Sequence, residues 1–106
     1  MGQVTTQDAV LITLPRLVGT RGAAERLVEA TVGSRVGAVV ELFGRNVVDA
    51  SPSFINGLVE QLQERRAREI VLYPSPPEFI EEFSAAAKKH ELLGWRMATD
   101  DELGAL

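Results

Sequence analysis

The chain has 106 residues, of which 45% are hydrophobic and 25% charged, and these values are typical of one globular domain with a single core. It contains no cysteine, which excludes disulfides and thiolate metal sites, and its one histidine argues against a histidine-based metal site. The net charge of −4 argues against binding to nucleic acid, which needs a basic surface. No signal-peptide pattern and no membrane-length apolar run is found, so we expect a cytoplasmic protein without a membrane partner.

The first half of the chain alternates between the patterns of strands and helices. Residues 9–14 are an apolar run ended by a proline, which is typical of a strand, and residues 17–19 are predicted to form a connection. Thr20 is expected to cap a helix over residues 21–31, because the apolar side chains of this segment recur on one face. Residues 36–43 are nearly all apolar, which favours a central strand covered on both faces.

The centre of the chain is predicted to hold a turn, a capped helix and a second buried strand. Residues 44–46 are a turn signal, and residues 47–48 are expected to add a short extended piece. Ser51 followed by a proline is a strong helix start, and a continuous apolar stripe predicts a helix over residues 52–66. Residues 69–73 have the pattern of another buried strand, again ended by a proline.

The last third is predicted to contain a third helix and an edge strand. Ser75 and Glu78 fit a capping box, in which the serine caps the helix and the glutamate reaches back to it. Residues 95–98 are expected to form a short edge strand. The polar residues 1–8 and the acidic residues 99–106 are expected to be flexible. The whole pattern predicts an α/β fold in one domain over residues 9–98, with a mainly parallel or mixed four-stranded sheet and about three helices.

Ser51 is the polar residue whose position best fits regulated chemistry. As an N-cap it has a sufficient structural role, since its hydroxyl satisfies a free N–H group of the helix. The same place suits a phosphate, because free N–H groups and the positive end of the helix dipole would hold it. Phosphorylation would add about −1.5 to −2 charges there and would recruit or repel a partner docked on the turn. Ser51 is therefore a candidate phosphorylation site.

The order of elements, and the stretch from Val39 through Asp49 and Ser51 into an amphipathic helix, resembles a STAS domain. This is the fold of anti-sigma factor antagonists and of the cytoplasmic domains of sulfate transporters. The usual STAS turn is Asp-Ser-Ser-Gly, whose second serine is phosphorylated by a partner kinase. Asp49 and Ser51 match that aspartate and serine, whereas Ala50 and Pro52 depart from the pattern, and Pro52 stiffens the turn.

The chain is also similar to a shorter STAS-like family of unknown function in bacteria, over about residues 9 to 97. Residues 20–27 are similar to the start of that family's first helix, and residues 53–58 to its second. Here Ile55, Asn56 and Gly57 replace the usual alanine and acidic pair. The resemblance implies a regulatory module that binds a protein, for example a histidine-kinase-like ATPase, without catalysis, cofactor or metal. The implied partner surface is the turn and its neighbours: Arg45, Asn46, Asp49, Ser51 and Ser53.

Three alternatives remain open. The helix start at Thr20, Arg21 and Gly22, with the helix start at Ser51, is a candidate small-ligand, anion or nucleotide site, because parallel α/β folds bind ligands at the carboxyl ends of strands. A homodimer formed through an edge strand near Trp95 is a second alternative. An enzyme is the third and has the least support, since no nucleophile–base pair is evident and His90 fits a surface histidine at a helix C-terminus.

Overall fold

The computed structural model describes residues 9–104 and confirms the α/β class. Its elements, in chain order, are β1 (Ala9–Thr13), β2 (Leu17–Val18), α1 (Arg21–Thr31), β3 (Val39–Phe43), β4 (Asp49–Ala50), α2 (Pro52–Glu64), β5 (Glu69–Leu72), α3 (Pro77–Lys89), β6 (Trp95–Met97) and α4 (Asp100–Gly104). Residues 1–8, expected to be flexible, and the last two residues of the acidic tail lie outside the described range. No helix within the described range is long and apolar enough to cross a membrane.

The central sheet has four parallel strands in the order β1-β3-β5-β6. Because right-handed crossovers join neighbouring strands in chain order, α1, α2 and α3 share one face of the sheet, where α2 packs against both other helices. The core lies between this face and the helices. Its strand side chains are almost fully buried: Val10, Ile12, Val40, Leu42, Ile70 and Leu72.

The expectation that β3 is covered on both faces is wrong. Its side chains alternate, with Val40 and Leu42 buried beneath the helices and Val39, Glu41 and Phe43 only half-buried on the other face. That second face has no long helix on it, since all three crossover helices lie on the first. Glu41 is the one polar residue in this strand, and it marks the more open side.

The segment expected to be a flexible acidic tail contains the helix α4. A capping box begins this helix: the Thr99 N–H donates to Glu102 Oε1 at 2.8 Å, and the Glu102 N–H donates to Thr99 Oγ1 at 3.2 Å. Arg96 on β6 then holds the helix against the open face, because Nη2 lies 2.7 Å from Glu102 Oε2 while Nε lies 2.7 Å from Glu69 Oε2. The hydrogen bond from Arg96 lowers the pKa of Glu102 to about 2.

The capping box predicted at Ser75 and Glu78 is wrong. The Ser75 hydroxyl donates to the Tyr73 carbonyl at 2.8 Å instead, and α3 begins one residue later, with Pro76 at the cap position and no side-chain cap bond. Two consecutive prolines explain the difference, because the fixed φ of Pro77 suits the first helical position and moves the helix start past the serine.

Candidate functional site

Ser51 lies at the N-terminus of α2, as predicted. Its Oγ accepts a hydrogen bond from the Phe54 N–H at 3.1 Å, and Pro52 occupies the first helical position. The serine thus satisfies the N–H of Phe54, and Pro52 has no N–H to satisfy. The cap therefore fixes the direction in which the chain leaves β4.

The Ser51 hydroxyl also makes a second bond that the sequence gives no sign of. It donates to the carbonyl of Gly19, 32 residues earlier in the chain, at 2.7 Å. Gly19 lies between β2 and α1, next to Thr20, whose own Oγ1 accepts from the Ala23 N–H at 3.0 Å and caps α1. One side chain thus joins the connections that begin two helices.

A two-stranded ribbon formed by β2 and β4 lies next to the same turn. β2 and β4 pair in parallel with Leu17 opposite Asp49, and the Val48 N–H donates to the Arg16 carbonyl at 2.8 Å. Leu17 of the ribbon is 72% exposed, and Val48, directly before β4, is 65% exposed. These two side chains are candidate contacts for a partner because they lie beside the polar turn.

A cleft of about 310 Å³ opens between the ribbon, α2 and α3. Asp49 contributes a carboxylate from the ribbon, and Glu78 and Glu82 contribute two more from α3, while Phe79 and Ile55 form part of its apolar lining. Within residues 9–104 no group of three histidine, cysteine or acidic side chains is arranged to hold a metal ion. The charge of the cleft instead suits the cationic side chain of a partner.

The other residues implied in partner binding divide between two places. Ser53 is exposed at the second position of α2, close to Ser51 in the chain. Arg45 and Asn46 are exposed in the connection between β3 and β4, but they line a different cavity, on the open face of the sheet. The structure therefore groups Asp49, Ser51 and Ser53 around one turn, whereas Arg45 and Asn46 belong to a second site.

His90 is more embedded than a simple surface histidine. It ends α3 as expected, but its Nε2 lies 3.0 Å from Asn56 Oδ1 and its Nδ1 lies 3.8 Å from Glu60 Oε2. Glu60 is also hydrogen-bonded to Arg21, and this bond is the main cause that lowers the pKa of the Glu60 carboxyl. The network links all three helices and commits the Arg21 guanidinium to a structural partner.

Part of the donor set at the two helix N-termini, the candidate anion site, is already used. Pro52 has no N–H, the Phe54 N–H bonds to Ser51, and the Ala23 N–H bonds to Thr20. The Gly19 carbonyl beside Ser51 presents a negative dipole to any anion placed there. Comparisons of the chain with family models, with curated proteins and with solved structures found no match. Its function is therefore proposed from this geometry together with the sequence resemblance.

Proposed function

We propose that the protein is a cytoplasmic, non-catalytic regulatory module that binds a partner protein through the turn of residues 48–53, with Ser51 as its switch. The observation that carries this proposal is the pair of bonds made by the Ser51 hydroxyl, which accepts from Phe54 and donates to Gly19. Modification of this one oxygen would change both connections at once, beside the exposed side chains of Leu17 and Val48.

Phosphorylation of Ser51 would remove the hydroxyl proton that Ser51 donates to the Gly19 carbonyl. A phosphate monoester at Oγ still accepts hydrogen bonds but has no hydroxyl proton to give to the Gly19 carbonyl, and the two oxygens then repel each other. About −1.5 to −2 charges would also arrive next to Asp49 and the acidic cleft. We expect the connection at Gly19 to move away from α2 and the partner to dissociate.

The charge of the cleft defines the partner's chemistry. Three carboxylates line it, and Leu17 and Val48 stand exposed at its side. A partner that presents an arginine or lysine next to apolar side chains would satisfy both features, because electrostatic complementarity selects the partner while apolar burial supplies affinity. The STAS resemblance points to a histidine-kinase-like ATPase as the class of partner.

Capture of partners from the native host by the tagged protein tests this surface. Val48→Glu places a charge in the proposed apolar contact and is expected to abolish capture of the partner. Leu93→Glu is the matched control, since Leu93 is 90% exposed but lies before β6, at the opposite end of the sheet. The proposal fails if both variants retain the same proteins in the same amounts as the unaltered chain.

An anion-binding or nucleotide-binding module is the second candidate, because the Ser51–Gly19 bond brings the starts of α1 and α2 together. Thermal-shift measurements with inorganic phosphate and with ATP test it. A concentration-dependent rise in melting temperature that Thr20→Ala removes would favour this candidate over the partner-binding module.

A further inference from the structure

A second cavity, of about 440 Å³, opens where β1, β3 and β5 end on the face of the sheet that lacks the long helices. Thr13, Phe43 and Tyr73 line it from the strand ends, Arg45 and Asn46 from the following connection, and Leu103 from α4. Parallel α/β sheets bind small molecules at the carboxyl ends of their strands, and this volume is within the range of such pockets. The cavity is separate from the cleft beside Ser51.

Two aromatic side chains form the apolar part of the cavity together with Leu103. Phe43 and Tyr73 stack with their ring centroids 4.3 Å apart and their planes 21° from parallel. Leu103 contributes an aliphatic side chain from α4, which the Arg96–Glu102 ion pair holds over the sheet. Two aromatic side chains with an aliphatic group nearby favour an apolar ligand body, and an aromatic ring can add edge-to-face or offset contacts with the pair.

Tyr73 supplies an unused polar group. Its side chain is only 5% exposed, yet its hydroxyl makes no hydrogen bond with any other residue in the described range. Every fully buried side-chain oxygen in the described range has a hydrogen-bond partner, so the unpaired Tyr73 hydroxyl must be accessible to solvent. Tyr73 also lines the cavity. Burial raises the pKa of Tyr73, which keeps the phenol neutral and able to donate to a ligand oxygen. A phenol that opens on the cavity can donate to a ligand that provides an acceptor oxygen.

Arg45 supplies a positive charge at the same cavity. It is exposed and forms no ion pair with any residue between 9 and 104. The Asn46 amide lies next to it in the chain and also lines the cavity. A guanidinium beside an amide matches a carboxylate, which accepts from both. Arg45 is the single cation among the residues that line the cavity, so one carboxylate matches its charge and a monoanion fits better than a dianion.

We propose that this cavity binds a small aromatic monocarboxylate. The ligand ring lies against the Phe43–Tyr73 pair beneath Leu103, its carboxylate pairs with Arg45 and Asn46, and the Tyr73 hydroxyl donates to a ligand oxygen. This site is independent of the Ser51 surface, so either assignment can fail without the other.

Nuclear magnetic resonance with benzoate as the probe tests this site directly, because Tyr73 is the only tyrosine of the chain. In protein labelled with ¹³C-tyrosine, millimolar benzoate is expected to shift the Tyr73 ring signals saturably. Neutral benzamide should bind about tenfold more weakly, since it lacks the charge that Arg45 recognises. Arg45→Gln should weaken benzoate binding by a similar factor, whereas Arg35→Gln, an exposed arginine outside the cavity, should leave it unchanged.

Two results would overturn the proposal. One is the absence of any saturable Tyr73 shift with benzoate while the signal of the single tryptophan shows a folded protein. The other is equal binding of benzoate by the Arg45→Gln and Arg35→Gln variants, because the carboxylate would then have no contact with Arg45.

Discussion

The helix ends that lie at the two ends of the central sheet are capped by different groups. At the amino end, where α2 and α3 finish, main-chain hydrogen bonds close the last turns, and side chains add bonds to nearby carbonyls, from Gln63 to His90 and from Arg65 to Gly33. Arg66 and Glu91 take left-handed conformations, with φ of 53° and 58°. The next N–H groups then turn back to carbonyls five residues earlier, from Ala67 to Leu62 at 3.2 Å and from Leu92 to Ala87 at 2.8 Å. These two closures involve only main-chain atoms, so phosphorylation has no hydroxyl to act on in them.

At the carboxyl end, where α1 and α2 begin, side chains perform the corresponding task. Thr20 and Ser51 cap the two helices, and the Ser51 hydroxyl also holds the Gly19 carbonyl. The exposed ribbon and both cavities considered as sites lie at this same end. A helix cap made by a serine oxygen can be altered by phosphorylation, so the switch proposed for Ser51 would act at this end.

The largest change in the free energy of unfolding is expected for a substitution at the amino end of the sheet. Arg65 is only 17% exposed, and its guanidinium donates to the Gly33 carbonyl at 2.6 Å and pairs with Glu29 at 2.7 Å. Arg65→Met would leave that carbonyl without its charged donor and should lower the free energy of unfolding by about 2 kcal/mol, measured by urea denaturation. Arg35→Met, at an exposed position, is the control. Loss of partner capture by Arg65→Met, at temperatures where this variant is folded, would contradict the assignment of partner binding to the carboxyl end alone.

Loss of the Ser51 hydroxyl should have the next largest effect on stability. Ser51→Ala removes an N-cap and should lower the free energy of unfolding by about 1 kcal/mol, and by more than Thr20→Ala, because Thr20 makes only the capping bond. Ser53→Ala, two residues further along the chain and exposed, should leave the free energy of unfolding nearly unchanged. Equal losses for Ser51→Ala and Thr20→Ala would show that the Gly19 bond contributes nothing to the fold.

A smaller change of opposite sign is expected at Arg66. A left-handed conformation costs a residue with a side chain roughly 1–2 kcal/mol, and glycine avoids this but loses roughly 0.5–1 kcal/mol of backbone entropy. Arg66→Gly should therefore raise the free energy of unfolding by about 0.5 kcal/mol, with partner capture unchanged. A decrease on thermal or urea unfolding would mean that the Arg66 side chain makes a stabilising contact.

The smallest effect is a pH dependence confined to α4. The pKa of Glu102 is about 2 in the folded protein, below its ordinary value of 4.5, so its ion pair with Arg96 stabilises the fold fully above pH 4.5. That contribution is lost as the pH falls from 4.5 towards 2. Amide signals of residues 100–104 should shift over this range, and Glu102→Gln should remove the component with a midpoint near pH 2, while Asp101→Asn should leave that component in place. Identical pH profiles for the two variants would contradict this assignment.

Local signals in the sequence were enough to predict the helix starts at Thr20 and Ser51. Each cap lies directly before a run of apolar residues with helical spacing, and both caps are confirmed. The capping box at Ser75 was wrong because two prolines moved the start of α3, and the one at Thr99 was missed within an acidic segment expected to be flexible. Short helices of this kind depend on a tertiary partner, here Arg96, which local pattern does not reveal.

The long-range features of both candidate sites were beyond sequence reasoning. The Ser51–Gly19 bond joins residues 32 apart, and β2 is a strand of two residues that was predicted as a connection. Arg45 and Asn46 were expected beside Ser51, but they line a cavity whose other walls, Tyr73 and Leu103, come from distant parts of the chain. These arrangements follow from the order of strands in the sheet, which the sequence predicted only as a class.

The most direct test of the Ser51 switch compares Ser51→Asp with Ser53→Asp for capture of partners from the native host. Aspartate is also a good N-cap, so Ser51→Asp keeps the α2 start while it removes the donor to Gly19 and adds a negative charge. If Ser51 is the switch, Ser51→Asp should capture at least about tenfold less of the partner than Ser53→Asp captures. Ser53→Asp is the matched control because it places the same charge two residues away. Equal retention of the same partner by both variants would contradict the switch.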